Sequence, residues 1–265
     1  MSVTHAAPNG SLLWPIDEVE NAVAPAVAGA RLPVWASGAY IEFRQKLLDP
    51  AFPCTFGTVA QRRGQMLFAF VTSLDAMGEH RVVRDALVEF TDLIRPLDSA
   101  TASLRPFAIF LPPVGELATI HDYFVRGWAL LRFLHENDPV PWPKRVPHDP
   151  DDPRWSFCFA GIPLFVTFKT PAHRQRRSRR MAGAFLVLFQ ARDGFDILAG
   201  DSEHGRNVRA AIRRKLVAYD DVPVSAALDH YGVSGNREWT QYFAPEDSKP
   251  LEVRCPFRAP AKDSE

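Results

Sequence analysis

Two apolar runs of strand length, FCFAGIPLFVTF (157–168) and AFLVLFQ (184–190), flank TPAHRQRRSRR (170–180), where five arginines fall within seven positions beside His173. The runs read as buried strands, and they meet the basic segment directly. Further runs, MLFAFV (66–71) and FAIFLPP (107–113), alternate only irregularly with helical periodicity. This pattern predicts an α+β fold, a mixed or mainly antiparallel sheet packed with several helices, rather than a doubly wound parallel sheet. The basic segment sets a second constraint. Adjacent like charges repel, so five arginines between buried strands require anions nearby. Either a bound carboxylate or phosphate supplies them, since guanidinium matches both, or internal acids such as Asp149, Asp151 and Asp152 do.

The rest of the chain follows from periodicity and breakers. The first thirty residues, rich in Ala, Pro and Gly, predict a loosely ordered arm (1–30), and 31–258 reads as a single domain. A short helix is expected over 38–48, stopped at Asp49-Pro50, and FPCTFG (52–57) reads as strand-like. Val83, Leu87, Phe90, Ile94 and Leu97 mark one buried helical stripe. Leu117, Phe124, Trp128 and Leu131 mark another, over 115–136. The stretch 137–155 holds six prolines and predicts an extended surface connection. A helix over 203–219 turns Val208, Ile212 and Leu216 inward and Arg206, Arg209 and Arg213 to another face. The tail from Tyr231 reads as irregular.

Lys and Arg number 31, as do Asp and Glu, so the chain is formally neutral. A dedicated nucleic-acid binder needs a basic excess, so that class is disfavoured. Cys54, Cys158 and Cys255 form no CxxC pair, which argues against a thiolate zinc or iron–sulfur site. Their odd number, an N-terminus unlike a secretory signal and the lack of a long apolar run predict a cytoplasmic protein without a membrane partner.

No phosphate loop, dinucleotide fingerprint, nucleophile elbow or zinc-protease motif occurs. His121 and His135 share a helix face but lie fourteen residues apart, ~21 Å along the axis, too far for one ion. His173, at a strand end beside the arginines, is better placed to ligate a bound group. GNREWTQYF (235–243) offers Asn236, Trp239, Gln241 and Tyr242 as pocket lining, or equally as a turn anchored by its tryptophan.

Taken in order, FPCTFG, WPKRVPHDPDDPRWSFCFAGIPLFV, TPAHRQRRSRR, FQARDGFD, GNREWTQYF and CPF resemble the YqcI/YcgG family over about residues 35–258. Members with assigned chemistry are haem-dependent guanidine N-hydroxylases. The chain is most similar to the type that makes Nω-hydroxy-L-arginine in D-cycloserine biosynthesis. The resemblance implies a haem-binding domain and haem b (iron) as cofactor. It implies L-arginine or another guanidino compound as substrate in antibiotic or other secondary metabolism. The oxidant would be hydrogen peroxide, or dioxygen with an electron donor; a homodimer sharing the pocket stays open. On that footing Arg176, Arg177 and Arg179 are expected to meet the haem propionates. His173 is expected to bind iron, with His135 as rival and a Cys54 or Cys158 thiolate as a further alternative. Glu136 and Asp138 are the expected catalytic carboxylates holding the guanidinium, with Arg132 and Trp239 completing the substrate site. The alternative is a haem- or anion-binding sensor or carrier without oxygenase turnover.

Overall fold

The computed structural model describes residues 3–24, 32–72, 76–113, 115, 118–228, 230–246 and 255–257. Seven strands form one sheet in the order β1-β3-β4-β7-β6-β5, with β2 also pairing β3. They are β1 (Val3–Thr4), β2 (Trp14–Pro15), β3 (Leu67–Thr72), β4 (Phe107–Leu111), β5 (Phe157–Phe159), β6 (Ile162–Lys169) and β7 (Phe185–Ala191). Among these seven strands β3 and β4 pair in parallel and the other pairings are antiparallel. This is the expected α+β class with a mixed, mainly antiparallel sheet.

Strand alternation feeds two cores. Ala69, Ile109, Val187 and Val166 point to one face, beneath α4 (Ala76–Ile94) and α6 (Ile120–Glu136). Phe68, Phe70, Phe110 and Leu186 point to the other, beneath α1 (Ile16–Val23) and α2 (Val34–Leu48). Helix α6 opens on a reciprocal cap, in which Thr119 Oγ1 accepts from Asp122 N and the Asp122 carboxylate accepts from Thr119 N. Strands β5 and β6 turn through Ala160 (φ 50°) and Gly161 (φ 76°), two left-handed residues in a two-residue hairpin loop. Asp138 holds that turn by accepting from Ala160 N at 2.9 Å.

Several local expectations change. Composition predicts a loose arm over the first thirty residues, whereas 3–24 carry β1, β2 and α1, with Trp14 and Val19 buried. A few large apolar side chains outweigh the breakers around them. Residues 25–31 and Leu117 lie outside the described residues. FPCTFG does not extend as a strand. Cys54 caps α3 (Thr55–Arg62), its Sγ accepting from Gly57 N at 3.3 Å. Short helices α5 (Ser99–Ser103), α7 (Asp193–Ala199) and α9 (Trp239–Phe243) were not legible from periodicity, being one or two turns long. Helix α8 (Glu203–Tyr219) follows the expected bounds. Among the described residues no helix is long and apolar enough to cross a membrane.

Candidate functional site

Along β6, Phe165, Thr167 and Lys169 point away from the face occupied by Leu164, Val166 and Phe168; on β7, Leu188 and Gln190 point the same way. These five side chains floor a cavity of about 290 Å³. Cys54 and Phe56 wall one side, Phe195 of α7 another, and Ile212 and Leu216 of α8 close it with Tyr231. Ile212 and Leu216 are only half-buried, because the α8 stripe faces the cavity and not a packed core.

The polar lining is mostly cationic: Lys169, Arg179, Arg192, Arg209 and Arg213, with Glu238 the one carboxylate among the described lining residues. Lys169 donates to the Ser178 carbonyl and lies 5.2 Å above the Phe52 ring. Burial, with the Arg179 charge behind it, pushes its amine down to about 7. Arg179 donates to the carbonyls of Gln241 (2.9 Å), Tyr242 (3.0 Å) and Phe168 (3.4 Å). Burial and then the Arg176 charge push its guanidinium down to about 10. Among the described residues neither Lys169 nor Arg179 has a carboxylate within ion-pair distance. A buried cation without a counter-charge is costly, so this end of the cavity is suited to an anion. Arg192, by contrast, is neutralised. Its Nε lies 2.7 Å from Glu238 and its guanidinium 3.8 Å over the Tyr231 ring. Glu238 also accepts from Ser156 Oγ (2.6 Å) and Tyr242 OH (2.9 Å), while burial raises its carboxyl above the usual range.

The arginine segment divides in three. Its backbone cups an internal carboxylate: Arg174 N, Gln175 N and Arg176 N donate to Glu246 at 2.8, 2.7 and 3.3 Å. Arg176 is buried, donates to the Pro245 carbonyl at 2.9 Å and lies 3.7 Å from Asp220. Arg177 faces outward, 3.8 Å from Asp221 and 4.9 Å over the Tyr219 ring. Internal acids therefore relieve most of the cluster, from Asp220, Asp221 and Glu246 and not from the 149–152 run. Of the three arginines expected at a ligand, Arg179 alone lines the cavity.

His173 is fully buried and lies outside the cavity lining. Its Nδ1 is 2.9 Å from Thr170 Oγ1 and its Nε2 is 3.2 Å from the Ala244 carbonyl. Ala244 takes a left-handed φ of 43°, which turns that carbonyl towards the ring. Burial and then three nearby cations, Arg179, Lys169 and Arg176, outweigh the Ala244 hydrogen bond and push the imidazole down to about 3, so it is neutral. With both nitrogens engaged, the ring acts as a tie between the β6 end and the chain after α9.

Apart from Cys158, whose side chain alternates to the other face of β5, the remaining expected residues lie on the α6 side of the sheet, away from the cavity. Asp138 holds the hairpin turn and accepts from Val140 N at 2.9 Å. Arg132 donates to the Pro256 carbonyl at 2.7 Å. Arg132 and Glu136 border a shallow surface groove with His80 and Phe133. His135 packs on Phe257 (4.8 Å) and edge-on to Trp142 (5.4 Å). Trp239 is buried against Trp128 at 6.1 Å. Cys158 is buried, and burial raises its thiol. The structure thus does not gather His173, Glu136 and Asp138 around one pocket. Lys169 and Arg192 were missed, although a signal existed: Lys169 ends β6 and Arg192 directly follows β7, in step with the cavity-facing positions 165–167 and 188–190. Glu238 sat unremarked beside the Trp239 that drew attention.

Two lining residues carry atoms that iron accepts, the His230 imidazole and the Cys54 thiol. No group of three or more His, Cys, Asp or Glu among the described residues could hold a bare metal ion. Apolar walls, two cations with no carboxylate within ion-pair distance among the described residues, and a nitrogen or sulfur ligand fit an amphipathic macrocycle with acidic substituents.

The profile of the YqcI/YcgG family matches residues 43–258. A protein of Streptomyces lavendulae named "Putative N(omega)-hydroxy-L-arginine synthase DcsA" is 35% identical over 224 residues, 84% of each chain. Two Bacillus subtilis (strain 168) proteins, named "Uncharacterized protein YqcI" and "Uncharacterized protein YcgG", are 34% and 35% identical. Each aligns over 231 residues, 85% of this chain and 89% of its own length. No solved structure matches.

Proposed function

The chain belongs to the YqcI/YcgG family, and from that premise we propose that it is a haem-dependent oxygenase that N-hydroxylates the guanidino group of L-arginine. The observation that carries the proposal is a pair of cations, Lys169 buried and Arg179 partly buried, with no carboxylate within ion-pair distance among the described residues, at one end of an apolar cavity. The name carried by the Streptomyces relative supports arginine as the substrate.

Haem bound here would supply the redox iron at which hydrogen peroxide, or dioxygen with an electron donor, is activated. Lys169 and Arg179 would hold its carboxylates by charge-assisted hydrogen bonds. His230 or Cys54, both on the lining, would be the residue to hold the iron in place of His173, which lies outside the lining. Phe165, Ile212 and Leu216 exclude water from the ring. Arg209 and Arg213 of α8 also line the cavity, and they donate to the carbonyls of Gly200 (2.5 Å) and Leu228 (2.7 Å); a substrate α-carboxylate would compete for them.

A second reading, an anion- or haem-binding carrier without turnover, is favoured by one specific fact. Glu238 already accepts from Arg192, Ser156 and Tyr242, so a substrate guanidinium must compete for it. Reconstitution with haemin separates the outcomes. A Soret band that Lys169→Met weakens and His173→Gln leaves in place supports the cavity assignment, and a protein that stays colourless removes the oxygenase and the haem carrier, leaving only an anion carrier. Arginine and peroxide added to the haem form should give a product heavier by one oxygen atom; without it, the carrier reading stands.

A further inference from the structure

The face of the sheet opposite the cavity holds a dense set of oxidisable rings, and one line of them runs from the cavity wall to the surface. Tyr242 stands at the inner end. Its OH donates to Glu238, on the cavity lining, at 2.9 Å, and its ring meets Phe165, also on the lining, at 5.5 Å between centroids. Trp155 follows at 6.2 Å from Tyr242, and Trp142 stacks on Trp155 at 6.2 Å. Tyr242 and Trp155 are fully buried, whereas Trp142 is partly exposed and stacks on His148 at 5.7 Å.

We propose that Tyr242, Trp155 and Trp142 form a relay that carries single electrons between the cavity and the surface. The need for an oxidant in the cavity rests on the oxygenase reading above; the conduction itself does not. When an oxidant in the cavity takes one electron from Tyr242, the phenol proton passes to Glu238. Trp155 then returns an electron to Tyr242, the proton moves back, and Trp155 is left as a radical cation. Trp142 refills Trp155, and a one-electron donor in solution refills Trp142. The oxidant is reduced by one electron, the donor oxidised by one, and the three rings end unchanged.

Two details favour conduction over trapping. Trp155 Nε1 is buried with no hydrogen-bond partner among the described residues, so an oxidised indole there has no base among them to take its proton and stays reversibly oxidisable. Trp142 Nε1 donates at 2.9 Å to the Val146 carbonyl, a very weak base. The proton shift is confined to the Tyr242–Glu238 pair. Trp128 and Trp239 branch from Tyr242 at 6.1 Å and a further 6.1 Å. Their Nε1 atoms also lack partners among the described residues, but both rings are buried, so the branch does not reach a donor.

A photo-oxidant on the full-length protein tests the relay without haem. Cys54 is exposed and lines the cavity, whereas Cys158 and Cys255 are buried. A ruthenium polypyridyl label on Cys54, flashed with an irreversible electron acceptor, should give indole-radical absorbance and then oxidise added ferrocyanide. In Trp155→Phe the yield of oxidised ferrocyanide should fall at least tenfold, while Trp14→Phe, a buried indole in the other core, leaves it unchanged. Tyr242→Phe should abolish the fast phase. Circular dichroism and thermal melts verify that each variant is folded. Equal yields in wild type and folded Trp155→Phe, or no indole radical in wild type, overturn the relay. Failure of haemin to bind overturns only the oxygenase reading.

Discussion

His173 titrates where the fold makes its ring neutral, and acid should expose that. Its pKa is about 3 in the folded chain against ~6.5 when unfolded. Between those values the unfolded state binds the extra proton, so stability rises with pH and the contribution is complete above about 6.5. Going down to pH 4 crosses roughly 2.5 of those units, at ~1.4 kcal/mol each, a loss of about 3 kcal/mol from this one ring. The ring is fully buried, so solvent screening does not soften the loss. Carboxylates will add their own acid sensitivity, and His173→Gln removes only the imidazole part. Its amide can still reach Thr170 and Ala244 but cannot titrate. Urea melts at pH 7 and pH 4, followed by tryptophan fluorescence, should show the wild type losing about 3 kcal/mol more than the variant. Equal losses would refute the neutral tie, and loss of the Soret band in His173→Gln would restore the ring as an iron ligand.

The cavity and its supports make further expectations. Because the Lys169 amine lies near 7 when no anion is bound, an anion there must take up a proton at higher pH. Affinity for zinc protoporphyrin, read by its fluorescence, should fall by up to about tenfold per pH unit above 7. In Lys169→Met that slope should be absent. Glu238→Ala leaves Arg192 buried without its partner and should cost about 3–5 kcal/mol in chemical denaturation, part of which Arg192→Met in the same chain recovers. At Gly205, in the first turn of α8, a Cβ would come within 2.1 Å of the Gly200 carbonyl oxygen. Gly205→Ala should therefore lower stability by roughly 1–3 kcal/mol, and limited proteolysis should locate the loosening around α7 and α8.

The elements that were legible share one property: their apolar period runs long enough to stand above noise. The α4 stripe of Val83, Leu87, Phe90 and Ile94 is buried as its spacing requires, and the apolar run over 107–111 is a fully buried strand. Where decisive side chains are few, period fails. Trp14 and Val19 draw the N-terminal residues onto the sheet, yet two large side chains amid Ala, Pro and Gly carry no pattern. Cys54 makes FPCTFG the start of a helix through one sulfur-to-amide hydrogen bond, a contact that alternation cannot reveal.

The arginine segment marks the limit for the site. Density of charge was visible, and so was its need for anions, but the direction of each side chain was not. Arg177 to Arg179 form a single 3-10 turn, and its three residues per turn spread neighbouring side chains around the axis. Consecutive arginines thus cannot converge on one ligand, and the turn sends Arg177 to solvent and Arg179 to the cavity. What converges is set by the strands instead. In the antiparallel register Lys169 lies opposite Leu186 and Phe165 opposite Gln190, so period-2 alternation puts their side chains on one face. A lone lysine in phase with a strand's second face is a quieter signal than five arginines in seven positions, and here it is the one that points at the cavity.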